Sequence, residues 1–333
     1  MDQKMKLSTK KFSLTVIVLS GAFVCAILIQ VALSFLFLEK TGQAKIVGSS
    51  QVAQIIAESQ FVNVVLEAKS AYVFDISTNK VLYAKNENEA LPLASITKIM
   101  TALTARSTIS ENAIITLSNR DISSEGDSGL NVGERWRLGD LLDVALIVSS
   151  NDAAHAVANF VGRQGHSTEE GISEAAYFRN FIEMMNSKAQ TMGLSTMKFY
   201  NETGLDIQEN GLSSGSARMT PGAYGSAKDV SLLMTELWKT YPSQLEITAR
   251  RDVRIVSQNG IAHALSNTNE ALGHFPGMVG SKTGYTTLAG GNLAIIFDVG
   301  IGRPVVAVVL GSTYEGRFDD MQKLTDATLK TLQ

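Results

Sequence analysis

The fold is decided by the stretch AYVFDISTNKVLYAKN (Ala71–Asn86) and by PLASITKIM (Pro92–Met100), which follows it closely. In the first stretch, apolar and polar residues alternate on either side of the polar segment STNK, which is typical of two strands joined by a turn. The second stretch opens a segment in which apolar residues recur at helical spacing, at Ile96, Ile99, Met100 and Leu103. A hairpin followed at once by an amphipathic helix predicts a mixed α/β protein.

Working outward, the segments Leu138–Gly162, Tyr177–Gly193 and Ser226–Tyr241 have helical patterns. The first of them has a polar break that predicts two helices. Near the end of the chain, NLAIIFDVG and PVVAVVLGST predict strands, and residues 319–332 predict a last helix. Strands at both ends predict one antiparallel sheet flanked by helices, with a helical region inserted into the chain between its strands.

Composition narrows the class of protein. Of 333 residues, 45% are hydrophobic and 18% are charged, which fits a globular body, and the net charge of −3 argues against a nucleic-acid surface. The single cysteine, Cys25, excludes an intrachain disulfide and lies within an apolar run.

That apolar run, Ser13–Leu38, contains no charged residue and follows a lysine-rich start. As a helix it would extend roughly 39 Å, more than the ~30 Å hydrocarbon core of a bilayer. We therefore expect residues 1–12 in the cytoplasm, a transmembrane signal-anchor at 13–38, a linker at 39–60, and the body of residues 61–333 outside the membrane. Cleavage after Ala44 remains an alternative.

The first chemical motif is Ser95–Lys98, in which a serine and a lysine share one face of the predicted helix. A lysine can deprotonate a serine only if its pKa falls well below the reference value of ~10.4, and the apolar neighbours favour such a shift. The same spacing recurs at Ser8, Ser77 and Ser195, but only Ser95 opens a strongly periodic helix. The alternative is an incidental polar stripe.

Two further motifs carry hydroxyl, amide and amine groups. In VSSNDAA, the Ser149 hydroxyl could relay a proton and the Asn151 amide could bind a peptide group, although both residue types also cap helices. In GSKTGYTTLAGG, Lys282 and Thr283 could hold a carboxylate beside a strand edge where an extended peptide could pair. Gly284 would let another backbone approach closely.

In this order, Ser-x-x-Lys, Ser-x-Asn and Lys-Thr-Gly form the type of set found in penicillin-binding proteins and β-lactamases. Longer stretches, including LLDVALIVSSNDAAHAVA and FIEMMNSKAQTMGLSTMKFYNETGLD, extend the likeness. From Ser70 to Ser312 the chain resembles the low-molecular-mass penicillin-binding proteins that act as serine-type D-alanyl-D-alanine carboxypeptidases. The resemblance implies a β-lactamase/transpeptidase-like fold, with residues 61–333 as the catalytic domain.

The resemblance also implies a role for each motif residue. Ser95 would be the acylated nucleophile, Lys98 its general base, and Ser149 the group that passes a proton to the leaving D-alanine. Asn151 would bind the substrate amide, and Lys282 would help to depress the pKa of Lys98. Backbone N–H groups of Ser95 and Tyr285 would form the oxyanion hole. The carboxylate would be held by Lys282 and Thr283, with Gly284 beside them.

The implied activity needs no cofactor and no metal, and we interpret the four histidines as structural or surface residues. The implied partners are peptidoglycan stem peptides, β-lactam antibiotics as covalent inhibitors, and a membrane reached through the N-terminal helix, but no nucleic acid. The implied location is the bacterial cytoplasmic membrane, single-pass, with the catalytic domain outside. A D,D-endopeptidase, a β-lactamase and a catalytically inactive wall-binding module remain alternatives. Residues 207–224 resemble an insertion near the cleft.

Overall fold

A computed structural model describes residues 60–122, 129–164, 173–209, 218–300 and 302–332, all within one compact unit, Ala57–Gln333. The main sheet has five antiparallel strands in the order β12-β13-β14-β1-β2. These strands are β1 (Ser70–Asp75), β2 (Lys80–Lys85), β12 (Met278–Thr286), β13 (Gly290–Asp298) and β14 (Pro304–Ser312). The prediction of a mixed α/β fold whose sheet joins the two ends of the chain is confirmed.

Seven α-helices lie within the described residues. They are α1 (Lys98–Thr108), α2 (Leu138–Ile147), α3 (Asn151–Gly162), α4 (Glu174–Thr191), α5 (Ala227–Thr240), α6 (Pro242–Glu246) and α7 (Gly316–Leu332). The polar break predicted between α2 and α3 is present, and α4 ends just before Gly193, whose φ of 72° suits glycine at a helix C-terminus. The helix predicted from Ser95 differs at its start, because residues 94–97 form a 3₁₀ turn and the α-helix begins at Lys98.

Small antiparallel pairings connect the remaining segments. The described short strands are β3 (Leu91–Pro92), β4 (Ile114–Thr116), β5 (Arg135–Arg137), β6 (Lys198–Phe199), β7 (Ile207–Glu209), β8 (Arg218–Thr220), β9 (Ala223–Gly225), β10 (Asp252–Val256) and β11 (Ala262–Ser266). Strands β7 and β8 pair with each other, and they occupy most of the described part of the expected insertion at 207–224. Its residues 210–217 lie outside the described residues.

Side chains that alternate along the central strands divide the core into two layers. Ile296 and Val308 face the inserted helices, whereas Ile295 and Val309 face α7 on the opposite side of the sheet. Because both faces are covered, β13 and β14 read as almost continuous apolar runs. The site lies where the inserted helices meet β12, the edge strand of this sheet.

The predicted single-pass localisation is corrected by the structure. Within the ranges that the structure describes, no helix is both long enough and apolar enough to cross a bilayer. The segment 13–38, on which that prediction depended, lies outside the described residues.

Candidate active site

Ser95 lies in the 3₁₀ turn between β3 and α1, and the backbone around it is held from two sides. Ala94 has a φ of +47°, a left-handed conformation that costs energy for a residue with a side chain. On one side, Gly204 packs so closely that an added Cβ would lie 1.9 Å from the Ala94 carbonyl oxygen. On the other, the buried Asn292 amide donates to the carbonyls of Pro92 and Leu93, each at 3.0 Å. The turn therefore presents Ser95 in an imposed conformation.

Lys98, one turn after Ser95, is 1% exposed and makes three hydrogen bonds through its amine. Its Nζ lies 2.9 Å from Ser95 Oγ, 2.7 Å from Asn151 Oδ1 and 3.1 Å from the Thr203 carbonyl. Burial lowers the pKa of this amine to about 7, and the nearby Glu202 carboxylate opposes part of the shift. Lys98 is thus in contact with the hydroxyl and close to half-neutral at neutral pH.

Lys282 forms a second amine centre on β12 and is also 1% exposed. Its Nζ donates to Ser149 Oγ at 2.9 Å and to the Thr283 carbonyl at 2.8 Å. Ser149 lies in the break between α2 and α3 and has a φ of +60°. This strained backbone conformation sets the direction of the Ser149 side chain. Burial first, and then repulsion by Lys98 and Arg317, hold the pKa of Lys282 well below its usual range.

The Lys-Thr-Gly segment of β12 passes beside Ser95. A Cβ placed on Gly284 would lie 2.9 Å from the Leu93 carbonyl and 3.2 Å from the Ser95 nitrogen, so the close approach requires glycine. The Thr283 hydroxyl lies 2.6 Å from the Thr268 hydroxyl. Tyr285, which follows, is 51% exposed and packs edge-to-face against Tyr314.

The eight residues singled out in the sequence lie close together, as two hydrogen-bonded groups and a strand segment beside them. Ser95, Lys98 and Asn151 are joined by hydrogen bonds, as are Ser149, Lys282 and Thr283, and Gly284 and Tyr285 continue the strand past Ser95. Asn151 also holds the Lys98 amine through its side-chain oxygen, a contact that the sequence does not predict.

Sequence reasoning missed four residues that support the cleft. The Thr203 carbonyl accepts from Lys98, Thr268 meets Thr283, and Arg317 donates to the Gly284 carbonyl at 3.2 Å. Glu202 lies next to Thr203 and accepts from His155 Nδ1 at 2.8 Å. In the sequence, the stretch NETG contributes only to the family resemblance, and nothing around Thr268 or Arg317 indicates their neighbours.

His155 is therefore close to the site without contacting Ser95 or Lys98 in any described hydrogen bond. Burial alone would lower its pKa, but the hydrogen bond and the charge of Glu202 outweigh burial and raise it. Its ring also stacks on Phe178 at a centroid distance of 4.1 Å. The interpretation of His155 as structural fits these contacts.

Comparison with known proteins identifies one family and several of its members as similar to this chain. The family model of D-alanyl-D-alanine carboxypeptidases, peptidase family S11, matches residues 56–313. D-alanyl-D-alanine carboxypeptidase DacF of Bacillus subtilis is 33% identical over 78% of this chain, and the match covers 61% of DacF. A D-alanyl-D-alanine endopeptidase of Escherichia coli is 28% identical over 72% of this chain and 70% of its own length.

Solved structures show the same relationship. A D-alanyl-D-alanine carboxypeptidase from Mycobacterium tuberculosis superimposes with a TM-score of 0.65 at 27% identity, covering 79% of this chain and 91% of that one. Penicillin-binding protein D2 from Listeria monocytogenes, in an ampicillin-bound form, has a TM-score of 0.60 at 28% identity, covering 80% of this chain and 98% of that one.

Proposed function

This chain belongs to the D-alanyl-D-alanine carboxypeptidase family, peptidase family S11, and on that premise we propose that residues 61–333 remove the terminal D-alanine from peptidoglycan stem peptides. The reaction proceeds through an ester between Ser95 and the penultimate D-alanine. The observation that carries the proposal is the 2.9 Å contact between Ser95 Oγ and a buried Lys98 amine whose pKa is lowered to about 7.

Acylation begins when neutral Lys98 takes the Ser95 proton and the Ser95 oxygen attacks the carbonyl of the scissile peptide bond. Negative charge on that carbonyl oxygen is stabilised by the backbone N–H groups of Ser95 and Tyr285. The direction of the Thr283 carbonyl supports the role of the Tyr285 N–H. This carbonyl accepts from the Lys282 amine, so it points towards the site. Because strand backbone repeats with a period of two, Tyr285 presents its N–H on the same side. Each such donor is typically worth ~3–4 kcal/mol.

Collapse of the intermediate breaks the peptide bond, and Ser149 delivers a proton to the departing D-alanine nitrogen. The proton that Lys98 took from Ser95 replaces the one lost by Ser149, so both groups return to their starting forms. The Lys282 amine donates to the Ser149 oxygen, which leaves the Ser149 proton available for this transfer. A water then attacks the ester and gives a proton to neutral Lys98. Lys98 passes a proton to the Ser95 oxygen as the ester bond breaks, so the shortened peptide leaves and Ser95 is restored.

The substrate carboxylate binds beside Lys282 and Thr283. Burial and the neighbouring Lys98 and Arg317 hold the pKa of the Lys282 amine well below its usual range. An arriving carboxylate favours the ammonium form, so the group becomes a cation where it is needed. Asn151 completes the arrangement by holding Lys98 and by lying close enough to contact the substrate amide.

The test is release of D-alanine from a tripeptide ending in D-Ala-D-Ala, measured with a coupled D-amino-acid oxidase assay. We expect release by the purified protein and none by Ser95→Ala. A tripeptide ending in D-Ala-L-Ala should be a poor substrate. Equal release by the wild-type protein and Ser95→Ala would contradict the proposal.

Cleavage of cross-links is a second candidate activity, favoured by the similarity to proteins named D-alanyl-D-alanine endopeptidase. The same nucleophile and base would serve it, so the two activities differ only in what the cleft accepts beyond Ser95. Incubation with a cross-linked peptide dimer distinguishes them, because an endopeptidase releases two monomers whereas a carboxypeptidase leaves the dimer joined.

We also propose that β-lactams acylate Ser95 and remain bound, as the ampicillin-bound relative suggests by its similarity. A β-lactamase would instead destroy penicillin rapidly. Slow loss of the adduct, over minutes or longer, supports a penicillin-binding protein, and turnover within seconds would support the β-lactamase alternative.

A further inference from the structure

Glu202 and His155 form a hydrogen-bonded pair next to Lys98 that the proposed acylation steps do not use. Glu202 is buried, at 6% exposure, and its Oε1 accepts from His155 Nδ1 at 2.8 Å. The carboxylates of Glu202, Asp121 and Glu174 all favour the charged form of the His155 ring. Burial of a carboxylate is costly even when it is paired, so a charge in this position calls for an explanation.

The first contact to the Glu202 segment comes from α1. Lys98 and Thr101 lie three residues apart and so share one face of this helix. The Thr101 hydroxyl donates to the Glu202 carbonyl at 2.6 Å. The Lys98 amine donates to the next carbonyl, that of Thr203, at 3.1 Å. The backbone at Glu202 is thus fixed within one residue of the Lys98 amine.

The second contact comes from α3. Asn151 and His155 lie four residues apart on this helix, so they also share a face. The Asn151 side-chain oxygen accepts from the Lys98 amine at 2.7 Å, and the His155 ring donates to the Glu202 carboxylate. One face of α3 therefore holds both the amine and the carboxylate, and fixes their relative positions.

Glu202 lines a cavity whose described wall does not include Ser95. This cavity of about 680 Å³ lies between α4 and residues 198–205, and neither Ser149 nor Lys282 is among the described residues that line it. Glu202 also has no described hydrogen bond to Ser95. Its charge is therefore placed to influence the reaction through Lys98, and not by direct proton transfer with Ser95.

Opposing influences act on the charge of the Lys98 amine. Burial disfavours the ammonium form, and the second buried amine, Lys282, repels a charge on Lys98. The Glu202 carboxylate acts in the opposite direction, because a nearby negative charge favours the ammonium form. An amine that is neutralised too easily is a weak base and accepts a proton less readily.

We propose that Glu202, fixed by His155, is a positioning residue for the acylation of Ser95, whose buried negative charge keeps the Lys98 amine basic enough to take the serine proton. This inference rests on the proposed function, because it acts through the role given there to Lys98. The effect is a balance, in which the amine is less often neutral at low pH but is a stronger base once it is neutral.

The variants separate charge from shape. Glu202→Gln keeps the shape of the side chain and an oxygen for His155 but removes the charge, and Glu202→Met is a second uncharged variant of similar size. Glu202→Asp keeps the charge but shortens the side chain. The matched control is Glu134→Gln, because Glu134 is buried and accepts from His263 at 2.9 Å, yet has no described contact with Lys98.

The experiment measures the second-order rate of labelling by a fluorescent penicillin from pH 5 to pH 9, after thermal unfolding has shown that each variant is folded. In Glu202→Gln and Glu202→Met the midpoint of the pH profile should fall by about one unit, a modest effect for a nearby charge. The rate at pH 9 should fall about threefold because the base is weaker, and the rate at pH 5 should rise about threefold because more of the amine is neutral. Glu202→Asp and Glu134→Gln should keep the wild-type midpoint and the wild-type rate at pH 5.

Faster labelling at pH 5 is the decisive result, because loss of a merely structural contact would lower the rate at every pH. An unchanged or lower rate at pH 5 in the uncharged variants would overturn the inference, as would the same rise in Glu134→Gln. Failure of both uncharged variants to fold would assign Glu202 to stability and overturn it too. In each case a wild-type rate that rises with pH leaves the proposed function standing. A wild-type rate that is flat with pH would overturn the role of Lys98 and this inference together.

Discussion

The pH dependence of Ser95 acylation follows directly from the environment of Lys98. Only the neutral amine can accept the Ser95 proton, and the pKa of this group is lowered from 10.5 to about 7 by burial. The neutral fraction then rises from about 1% at pH 5 to about 99% at pH 9, so the acylation rate should increase about a hundredfold and level off above pH ~8. With an ordinary lysine pKa, the rise would be about ten-thousandfold, without a plateau.

The assay is the second-order rate of labelling by a fluorescent penicillin between pH 5 and pH 9. Lys98→Met should be slower by about 10²–10⁴-fold and should lose the pH-dependent rise, because the proton acceptor is absent. His155→Gln is the control for a further nearby group with a shifted pKa, since His155 has no described hydrogen bond to Ser95 or Lys98. In His155→Gln the labelling rate should still rise with pH as in the wild-type protein. A wild-type rate that is flat across this range, or that climbs without a plateau, would refute the reasoning.

Three further predictions concern the support of the cleft and the pH dependence of stability. In Gly204→Ala the new Cβ would lie 1.9 Å from the Ala94 carbonyl, so penicillin labelling should fall at least tenfold, whereas Gly193→Ala, with a similar positive φ but nothing within 4 Å, should label normally. Asn292→Ala removes the side-chain hydrogen bonds to the carbonyls of Pro92 and Leu93 and to the Gly311 N–H, although the Leu93 carbonyl still accepts from the Ile96 N–H. It should lower the free energy of unfolding by about 3 kcal/mol in urea denaturation, against less than about 0.5 for the exposed Asn88→Ala; equal effects would contradict the role given to Asn292. Burial raises the pKa of Asp143 from 3.8 to about 8, so between those values the folded protein keeps a proton that the unfolded chain releases, and stability falls as pH rises. Asp143→Asn should remove this loss of stability, whose slope approaches about 1.4 kcal/mol per pH unit. If the wild-type protein and Asp143→Asn lost stability equally with rising pH, this role of Asp143 would be contradicted.

The main sheet could be predicted from the sequence because local patterns specify its strands. Alternation across STNK indicated the β1–β2 hairpin, and the apolar runs near the end of the chain indicated β13 and β14. The 3₁₀ turn at Ser95 could not be predicted in this way, because helical periodicity continues through it. Its strained Ala94 depends on Gly204, which is remote in sequence.

The residue types of the site were likewise accessible from sequence, but their pairings were not. Spacing placed Lys98 near Ser95, whereas the contact of Asn151 with Lys98 spans 53 positions and depends on how α3 packs against α1. The Thr268–Thr283 and Arg317–Gly284 contacts depend on the packing of separate segments against β12. Such tertiary contacts have no local signature in a single sequence.

The most direct test of the account is the mass of the intact protein after treatment with benzylpenicillin, followed by peptide mapping. We expect an increase equal to one penicillin, located on the peptide that contains Ser95, and no increase for Ser95→Ala. An adduct on another residue, or equal modification of Ser95→Ala, would show that the alcohol beside Lys98 is not the nucleophile.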